Sequence, residues 1–367
     1  MITITRAALT ARLALAVVAV AGAWAMSTGP SAAATTGPAV LPTTTLAAVA
    51  LDPQGRLYAA DCFGARIFRF DPDGPVVVAG NGSQAYAGDG GPAVDASLYC
   101  PAGLAFDERG MFIVDHGNNR IRLVDASGVI TTFAGTGATG PDHGAWEGDG
   151  GPAIDARFQE PTGIAIDASG VIVIGDRDND VVRRIDSDGI VTTIAGTGVA
   201  GFGGDGEAAT SAMLSSPGAV AIDALGNVDV ADPGNDRVRR IGVDGIITTI
   251  AGDGTRASTG DGGPATEASL DAPAQGIVRD AAGNLYITEG QRIRRVDPAG
   301  TITTFTGTGE PGVSGDGGPA IDARLDHPAG LAIGADGTLY VSSDEATVPC
   351  IRAIRADGTI HAVWCRS

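Results

Sequence analysis

One stretch of the sequence recurs almost letter for letter. Residues 148–166 read GDGGPAIDARFQEPTGIAI, and residues 315–333 read GDGGPAIDARLDHPAGLAI. Weaker copies begin at residues 88, 204 and 260, so the Asp of the GDG motif recurs at intervals of 60, 56, 56 and 55 residues: Asp89, Asp149, Asp205, Asp261 and Asp316. A period this regular predicts repeated supersecondary units, each packed against its neighbours.

A second unit lies between successive GDG motifs. Its fourth copy, residues 218–252, divides into four short strands, predicted at 219–223, 228–231, 237–241 and 246–250, with glycine-containing turns between them. Six copies align, whereas the GDG motif occurs five times: 47–80, 103–135, 163–196, 218–252, 276–307 and 330–365. A closed ring of six units has six junctions, and the chain termini interrupt one. The sequence therefore predicts an all-β, six-bladed β-propeller of four-stranded blades, with residues 35–46 packing across the seam between blades 6 and 1.

The linkers between blades carry a helix-start pattern. In the second linker, Pro152 follows Asp-Gly-Gly and precedes the sequence A-x-x-A-x-F. Pro at the first helical position, with Asp and Gly just before it, predicts one or two capped helical turns in each linker. This interpretation gives the linker Asp residues a structural role.

The repeated motifs resemble a known family. The series P-x-G-(L/I)-A-x-D, G-x-(L/V)-x-V-x-D, N-x-R-(I/V)-R-R-(I/V) and D-G-x-I-T-T-I-A-G resembles the NHL repeat, and GDGGPA resembles the linker of bacterial secreted NHL proteins and of teneurins. The resemblance covers nearly all of the chain after residue 34. It implies an NHL-type propeller but hardly restricts function, because such propellers serve as binding modules, sensor domains and lyases.

The first 34 residues have the features of an export signal. Arg6 and Arg12 flank the n-region, residues 13–26 form an apolar run that is short for a membrane span, and residues 32–34 are an Ala-Ala-Ala cleavage site. We therefore expect a secreted, extracellular monomer with one domain, residues 35–367, and no membrane insertion. The net charge of −19 and the lack of Lys argue against nucleic-acid partners and anionic membranes.

Strand direction sorts the connections into two faces. If the strands of a blade are called a to d, the b–c loops and the linkers emerge on one face, called the linker face here. Longer connections tend to carry function, so this face is the predicted ligand-binding face. All four cysteines fall on it, and in an oxidising compartment the best of the three connectivities pairs Cys62 with Cys100 and Cys350 with Cys365.

The histidines do not form a metal-ligand pattern. His116 and His327 are predicted on the linker face, His143 in a linker and His361 in a strand. NHL-like amidating lyases are expected to place metal histidines just before the Gly that opens strand a. Those positions here hold other residues: Ala102, Thr162, Pro217, Gln275 and Ala329. Because a catalytic zinc usually needs three converging ligands, the resemblance does not extend to that metal site.

Acids at the ends of strand b form a repeated set: Asp61, Asp115, Asp176, Asp232 and Glu289. Arginines open strand c across a short loop, at Arg66, Arg120, Arg237 and Arg292. We predict one acid–Arg pair per blade; the alternative is a ring of acids that binds cations or a basic ligand. The five linker Asp residues, with backbone carbonyls, are an alternative Ca²⁺ site. The run Asp176-x-Asp178-x-Asp180 lacks the Gly and Glu of an EF-hand loop.

Three aromatic residues occupy matching places, two to three residues before a linker Asp: Tyr86, Trp146 and Phe202. They are predicted to pack on the linker helix, and the alternative is a stacking platform for sugars or peptide side chains.

No motif of a nucleophilic hydrolase or of a phosphate-binding loop is present in the sequence. We therefore expect a non-catalytic binding or scaffold module without a cofactor, whose linker face binds a protein or a cell-envelope polymer. Two alternatives remain. One is a lyase or hydrolase with a divalent metal at the mouth of the central channel, and the other is a structural spacer.

Overall fold

The computed structural model describes residues 41–42, 45–138, 146–273, 276–343 and 348–366. These residues fold into six four-stranded antiparallel sheets, each made of four consecutive strands in chain order. The predicted six-bladed all-β propeller is therefore confirmed. The predicted export signal at 1–34 and His143 lie outside the described residues.

Within each blade, strand a lines the central channel and strand d lies at the outer edge. Blades 1 to 3 comprise β1 (Leu46–Leu51), β2 (Leu57–Asp61), β3 (Arg66–Asp71), β4 (Gly74–Ala79), β5 (Pro101–Asp107), β6 (Gly110–Asp115), β7 (Arg120–Val124), β8 (Ile130–Ala134), β9 (Pro161–Ile166), β10 (Ile172–Asp176), β11 (Val181–Ile185) and β12 (Val191–Ala195). Blades 4 to 6 comprise β13 (Val220–Ile222), β14 (Val228–Asp232), β15 (Arg237–Ile241), β16 (Ile247–Ala251), β17 (Ile277–Arg279), β18 (Leu285–Glu289), β19 (Arg292–Val296), β20 (Ile302–Thr306), β21 (Pro328–Ile333), β22 (Leu339–Ser343), β23 (Cys350–Ile354) and β24 (Ile360–Cys365).

The strand predictions for blade 4 are close to the observed bounds. Strand β14 extends one residue further than predicted, because Asp232 pairs with Arg237 across the b–c loop. Between β15 and β16 the register shifts at Val238/Arg239. Corresponding shifts occur between strands c and d of the other five blades, so the outer strand of each blade carries a bulge.

The hydrophobic core lies between the blades. Six clusters of buried residues fill the six junctions. At the junction of blades 2 and 3, the A-x-x-A-x-F motif of the linker contributes Ala153, Ala156 and Phe158, each at most 3% exposed. The repeated linker sequence is therefore a packing motif, which fills the space between two neighbouring sheets.

The linkers contain the short helical turns that the sequence predicts, at the lower end of the predicted length. Each is a single three-residue 3₁₀ turn without a side-chain cap: Ala93–Asp95, Ala153–Asp155, Ala209–Ser211, Ala265–Glu267 and Ala320–Asp322. Their backbone groups bond to the adjacent blades instead of continuing a helix. Ala153 N donates to Gly189 O of the following blade, and Gly135 N of the preceding blade donates to Ala153 O. The predicted short helical turns in the linkers are therefore confirmed as 3₁₀ turns, whereas the predicted side-chain caps at their N-termini are absent.

The first Gly of the GDG motif lies where two parts of the linker backbone come close together. Gly148 has φ +97°, and a Cβ at this position would lie 2.8 Å from the Cα of Ala156. This contact explains why Gly and Ala recur eight residues apart in the linker.

Among the described residues, no such linker lies in the seam between blades 6 and 1, and residues 35–40 of the segment predicted to cross it lie outside the described part of the chain. The cluster at the seam includes Leu46, Val49 and Ile351, and the ring of Trp364 packs against Phe70 with centroids 5.6 Å apart. Of the segment predicted to cross the seam, Pro42 accepts a 3.4 Å hydrogen bond from Nη1 of Arg366, which joins the two ends of the ring. Within the described residues, no helix has both the length and the apolar character needed to cross a membrane.

Candidate functional site

Five buried arginines in strand c hold the five linker aspartates. The Arg Nη2 to Asp Oδ1 distances are 2.5 to 3.0 Å: Arg122–Asp89, Arg183–Asp149, Arg239–Asp205, Arg294–Asp261 and Arg352–Asp316. The arginine side chains are at most 4% exposed, and the aspartates are partly exposed. Each linker is therefore anchored by charge to the blade that follows it.

The acids at the ends of strand b contact the same arginines in blades 2 to 5. In blade 3, Asp176 lies 3.6 Å from Arg183 and accepts hydrogen bonds from Gln159 N and Asn179 Nδ2. Burial outweighs these contacts and raises the pKa of Asp176 to about 7. In the same way burial raises the pKa of Asp232 to about 6. Blade 6 has Ser343 at this place, where its hydroxyl bonds to Cys350.

The predicted pairing of these acids with the arginines that open strand c is therefore wrong in blades 2, 4 and 5. Those that open strand c donate to carbonyl oxygens of the following linker, over 2.6 to 2.9 Å: Arg66 to Asn81, Arg120 to Thr136, Arg237 to Asp253 and Arg292 to Thr308. The arginine that binds the acid lies two residues later in the strand. The first arginine thus fixes the outgoing linker and the second fixes the incoming one.

The predicted aromatic residues pack on or replace the first arginine. The ring centroid of Tyr86 lies 3.7 Å from the guanidinium carbon of Arg120, and the ring centroid of Phe202 lies 3.8 Å from that of Arg237. A Cβ at Gly137 would overlap the Arg120 side chain, and one at Gly198 would overlap the Trp146 ring. Blade 3 has Val181 at the start of strand c, so Trp146 fills the volume that arginine fills elsewhere.

Tyr86 also contributes to the environment of its linker aspartate. Both Tyr86 and Thr132 donate hydrogen bonds to Oδ2 of Asp89, over 2.8 and 2.6 Å. Burial alone would raise the pKa of Asp89, but these bonds and the charge of Arg122 hold it below its ordinary value. Asp89 is therefore an ionised anchor whose two oxygens already have partners.

The mouth of the central channel is a cavity of about 600 Å³ on the linker face. Strand a of every blade contributes to its wall, through small residues such as Ala47, Gly163 and Gly218. The b–c loops add Phe63, His116 and Arg177 among others. This volume is in the range of small-molecule sites.

Five residues directly before a Pro that starts a blade have left-handed backbone: Cys100, Glu160, Ser216, Ala272 and His327. Of these, Cys100, Ser216 and Ala272 line the mouth. Four of the five donate their backbone N–H to a side-chain oxygen in the b–c loop of the preceding blade, over 2.7 to 3.3 Å: Glu160 to Asn119, Ser216 to Asp180, Ala272 to Asp236 and His327 to Gln291. Positive φ is unfavourable for a side chain, so the bonds hold a strained conformation in place.

The first of these junctions uses a disulfide instead. Ala65 stands in blade 1 where Asn119 stands in blade 2, and its side chain has no oxygen to accept a bond. Cys62 and Cys100 are bonded across this junction, as predicted. The predicted bond between Cys350 and Cys365 is also confirmed and joins strands c and d of blade 6.

The predicted histidines have different environments. His116 Nδ1 lies 3.0 Å from the carbonyl oxygen of Pro161, and its Nε2 lies 3.8 Å from Oε2 of Glu160. His327 is exposed and contacts Asp326, and His361 lies in β24. In the described part of the chain, no three His, Cys, Asp or Glu side chains are close enough to hold a metal together.

Only His116 among the ten predicted binding residues lines the channel mouth. The linker aspartates and the three aromatic residues lie at the blade junctions, and His327 lies on the rim. The sequence interpretation missed Phe63, Arg177 and Arg256, which do line the mouth. Their signal was that they interrupt the repeat, since no other blade has the same residue at the same place.

The model of the teneurin NHL domain matches residues 75–143, 133–201 and 253–311, together just over half of the chain. This chain belongs to the teneurin NHL domain family. Teneurin-3 of Danio rerio is 30% identical over an alignment of 282 residues, which covers 67% of this chain. The match spans about 10% of that relative's length.

Solved structures share the fold of this NHL propeller at low identity. An auxiliary nutrient binding protein from Bacteroides thetaiotaomicron is 15% identical with a TM-score of 0.57, over 83% of this chain and 68% of that one. A gluconolactonase from Xanthomonas campestris is 15% identical with a TM-score of 0.53, over 88% and 87%. At this identity the similarity shows the propeller fold alone.

Proposed function

We propose that this NHL propeller is a secreted, non-catalytic recognition module whose linker face binds a protein or a cell-envelope polymer. The observation that supports this most is the contrast at the five left-handed positions, three of which line the mouth. Their backbone is fixed by the preceding blade, yet the side chains are Cys, Glu, Ser, Ala and His. A repeated scaffold that presents a non-repeated rim is typical of binding surfaces.

The ion pairs between repeated residues support the same proposal. The linker aspartates and the second arginines of strand c bind each other, so the charges that recur most often hold the ring together. Two disulfides within the described residues are compatible with an oxidising compartment. What remains for a ligand is the rim and the channel mouth.

Matched variants on the two faces test this proposal. Phe63→Ala with His327→Ala changes two exposed side chains of the linker face, whereas Leu225→Ala with Val243→Ala changes two exposed side chains in the turns of the opposite face. Saturable binding to isolated envelope fractions and to secreted proteins is measured for both pairs. The linker-face pair should weaken binding about tenfold or more, and the opposite-face pair should leave it unchanged. The reverse order contradicts the proposal, and a wild-type protein that binds neither material favours a structural spacer.

One observation favours an enzymatic alternative. His116 and Glu160 bring an imidazole and a carboxylate within 3.8 Å at the channel mouth, which is the composition of an acid–base pair. The alternative is a lyase or hydrolase that uses a divalent metal there. A catalytic zinc needs three protein ligands, and the described residues supply no such group. Stoichiometric metal in the purified protein, lost with an activity in His116→Ala, is the result that supports an enzyme.

A further inference from the structure

The charges of the channel mouth are opposite in sign to those of the chain. The whole sequence has a net charge of −19. The charged or titratable side chains that the described residues contribute to the cavity wall are His116, Arg177 and Arg256, and no Asp or Glu is among the lining residues. A basic cavity inside an acidic ring attracts anions to one place on the surface.

The two arginines retain donors for a ligand. Nη1 of Arg177 lies 3.5 Å from Glu160, and Nε of Arg256 lies 3.2 Å from Asp271. The arginine side chains are 45% and 69% exposed, and neither acid lines the cavity. Exposed ion pairs of this kind are weak, and a guanidinium has five N–H groups, so a carboxylate entering the mouth finds donors that these contacts do not use.

The rest of the wall is apolar or small. Phe63 is 55% exposed at the mouth, beside the disulfide of Cys62 and Cys100. Ala47, Ala102 and Pro233 extend the apolar surface around the channel. A small cavity with apolar walls and a few converging polar groups accepts a ligand that has an apolar body and one charged group.

We propose that the channel mouth is a binding site for a carboxylate attached to an aromatic or apolar group. The inference rests on the proposed function in that it uses the same face, and it adds the chemical class of the ligand. Two sources present this chemistry: a free small acid, and the C-terminal carboxylate of a protein or peptide. The carboxylate binds Arg177 and Arg256, and its apolar part lies against Phe63 and the small residues of strand a.

The test uses N-acetylphenylalanine, N-acetylphenylalanine amide, and the peptide acetyl-Gly-Gly-Phe as free acid and as amide. Binding to the purified protein is measured at low ionic strength by calorimetry and by amide shifts in NMR spectra. Both acids should bind saturably, with shifts at Gly163, Gly218 and Gly276, and the amides should bind about tenfold or more weakly. If acetyl-Gly-Gly-Phe acid binds about tenfold more tightly than N-acetylphenylalanine, the source is a chain terminus. If the two acids bind with equal affinity, the source is a small acid.

Variants separate the cavity from general charge effects. Arg177→Gln with Arg256→Gln should weaken binding of both acids about tenfold or more. Arg324→Gln is the matched control, because Arg324 is also half-exposed and paired with an acid, Glu310, but does not line the cavity. Equal binding of acid and amide, no saturable binding of the acids, or an equal loss in Arg324→Gln overturns the inference. If the probes fail while an envelope or protein ligand still binds the linker face, only the carboxylate site is refuted.

Discussion

At the junction of blades 2 and 3, the linker residues Ala153, Ala156 and Phe158 fill the space between two sheets; at the seam of blades 6 and 1, Trp364 packs against Phe70 instead. The first junction is closed by a chain segment that runs through it. The second is closed by direct packing of blade 6 on blade 1, with no linker segment among the described residues.

The difference extends to the buried charges. The second arginine of strand c occurs in blades 2 to 6, each of which follows a linker, and blade 1 has the fully buried Phe68 in its place. The first arginine precedes a linker in blades 1, 2, 4 and 5, whereas blade 3 has Val181 there, with Trp146 in the same volume, and blade 6 has Cys350. The second arginine is therefore the regular anchor of the incoming linker, and the first arginine can be replaced even in a blade that precedes a linker.

The largest effect is expected at a linker anchor. Arg183→Met should lower the free energy of unfolding by about 3–5 kcal/mol, because it leaves Asp176 buried without its charge partner and Asp149 without its anchor. Arg184→Met, at the exposed neighbouring position, should change it by no more than about 0.5 kcal/mol. Denaturant unfolding measures both, and equal losses in the two variants would show that the buried pair does not anchor the linker.

A smaller effect is expected at the first junction. Removing the disulfide in Cys62→Ser with Cys100→Ser should cost about 2–4 kcal/mol. Adding Ala65→Asn to this variant restores an oxygen at the place of Asn119 and should recover about 1 kcal/mol through a bond to the backbone N–H of residue 100. The same Ala65→Asn change in the disulfide-bonded protein is the control and should not stabilise it. If Ala65→Asn does not raise the stability of the disulfide-free variant, the disulfide does not stand in for the hydrogen bond.

The seam should be weaker and insensitive to salt. Trp364→Ala removes the aromatic contact with Phe70 and should cost roughly 2 kcal/mol, because the side chain is only partly buried. The loss should be the same at low and high salt, whereas that of Arg183→Met should change with salt. Leu225→Ala, an exposed apolar change away from the seam, should cost nothing measurable. A loss of the size predicted for Arg183→Met would place the seam among the strongest junctions.

The last comparison is between two opposite pH dependences, which are measured as titration midpoints. Because the pKa of Asp176 is raised from 3.8 to about 7, its contribution to stability is complete below pH 3.8 and is lost as the pH rises towards 7. Because the pKa of Asp89 is lowered from 3.8, its contribution is complete above pH 3.8 and is lost as the pH falls through its folded value. Carboxyl NMR titration measures both midpoints, with Asp176→Asn and Asp89→Asn identifying the signals. A midpoint for Asp176 near 4 would show that Arg183 and the hydrogen bonds outweigh burial.

Much of the fold can be predicted from the sequence, because the four-strand unit is repeated six times. The number of blades, the four strands of each, and both disulfides are visible in the spacing of Gly, Asp and Cys. The sequence predicts the wrong arginine partners, because the arginine that opens strand c is nearer along the chain to the acid of the b–c loop. Arg120 and Arg122 lie two residues apart on the same strand, and the path of the linker decides which of them binds Asp89.

The channel mouth was harder to predict for a different reason. Arg177 and Arg256 come from a b–c loop and a linker of different blades, and only ring closure brings both to the cavity wall. A repeat pattern shows the residues that the blades have in common, whereas the channel mouth is formed in part by residues that occur in one blade or linker each.

Each blade is made of four strands that are consecutive in the chain, so none is shared between the two ends. An in-frame crossover between the DNA that encodes residues 148–166 and 315–333 would therefore add or remove whole blades without cutting a sheet. The terminal units would stay in place, since they lie outside the exchanged region. Such an exchange would change the ring by complete blades, and each inserted blade would carry its own anchoring arginine and aspartate.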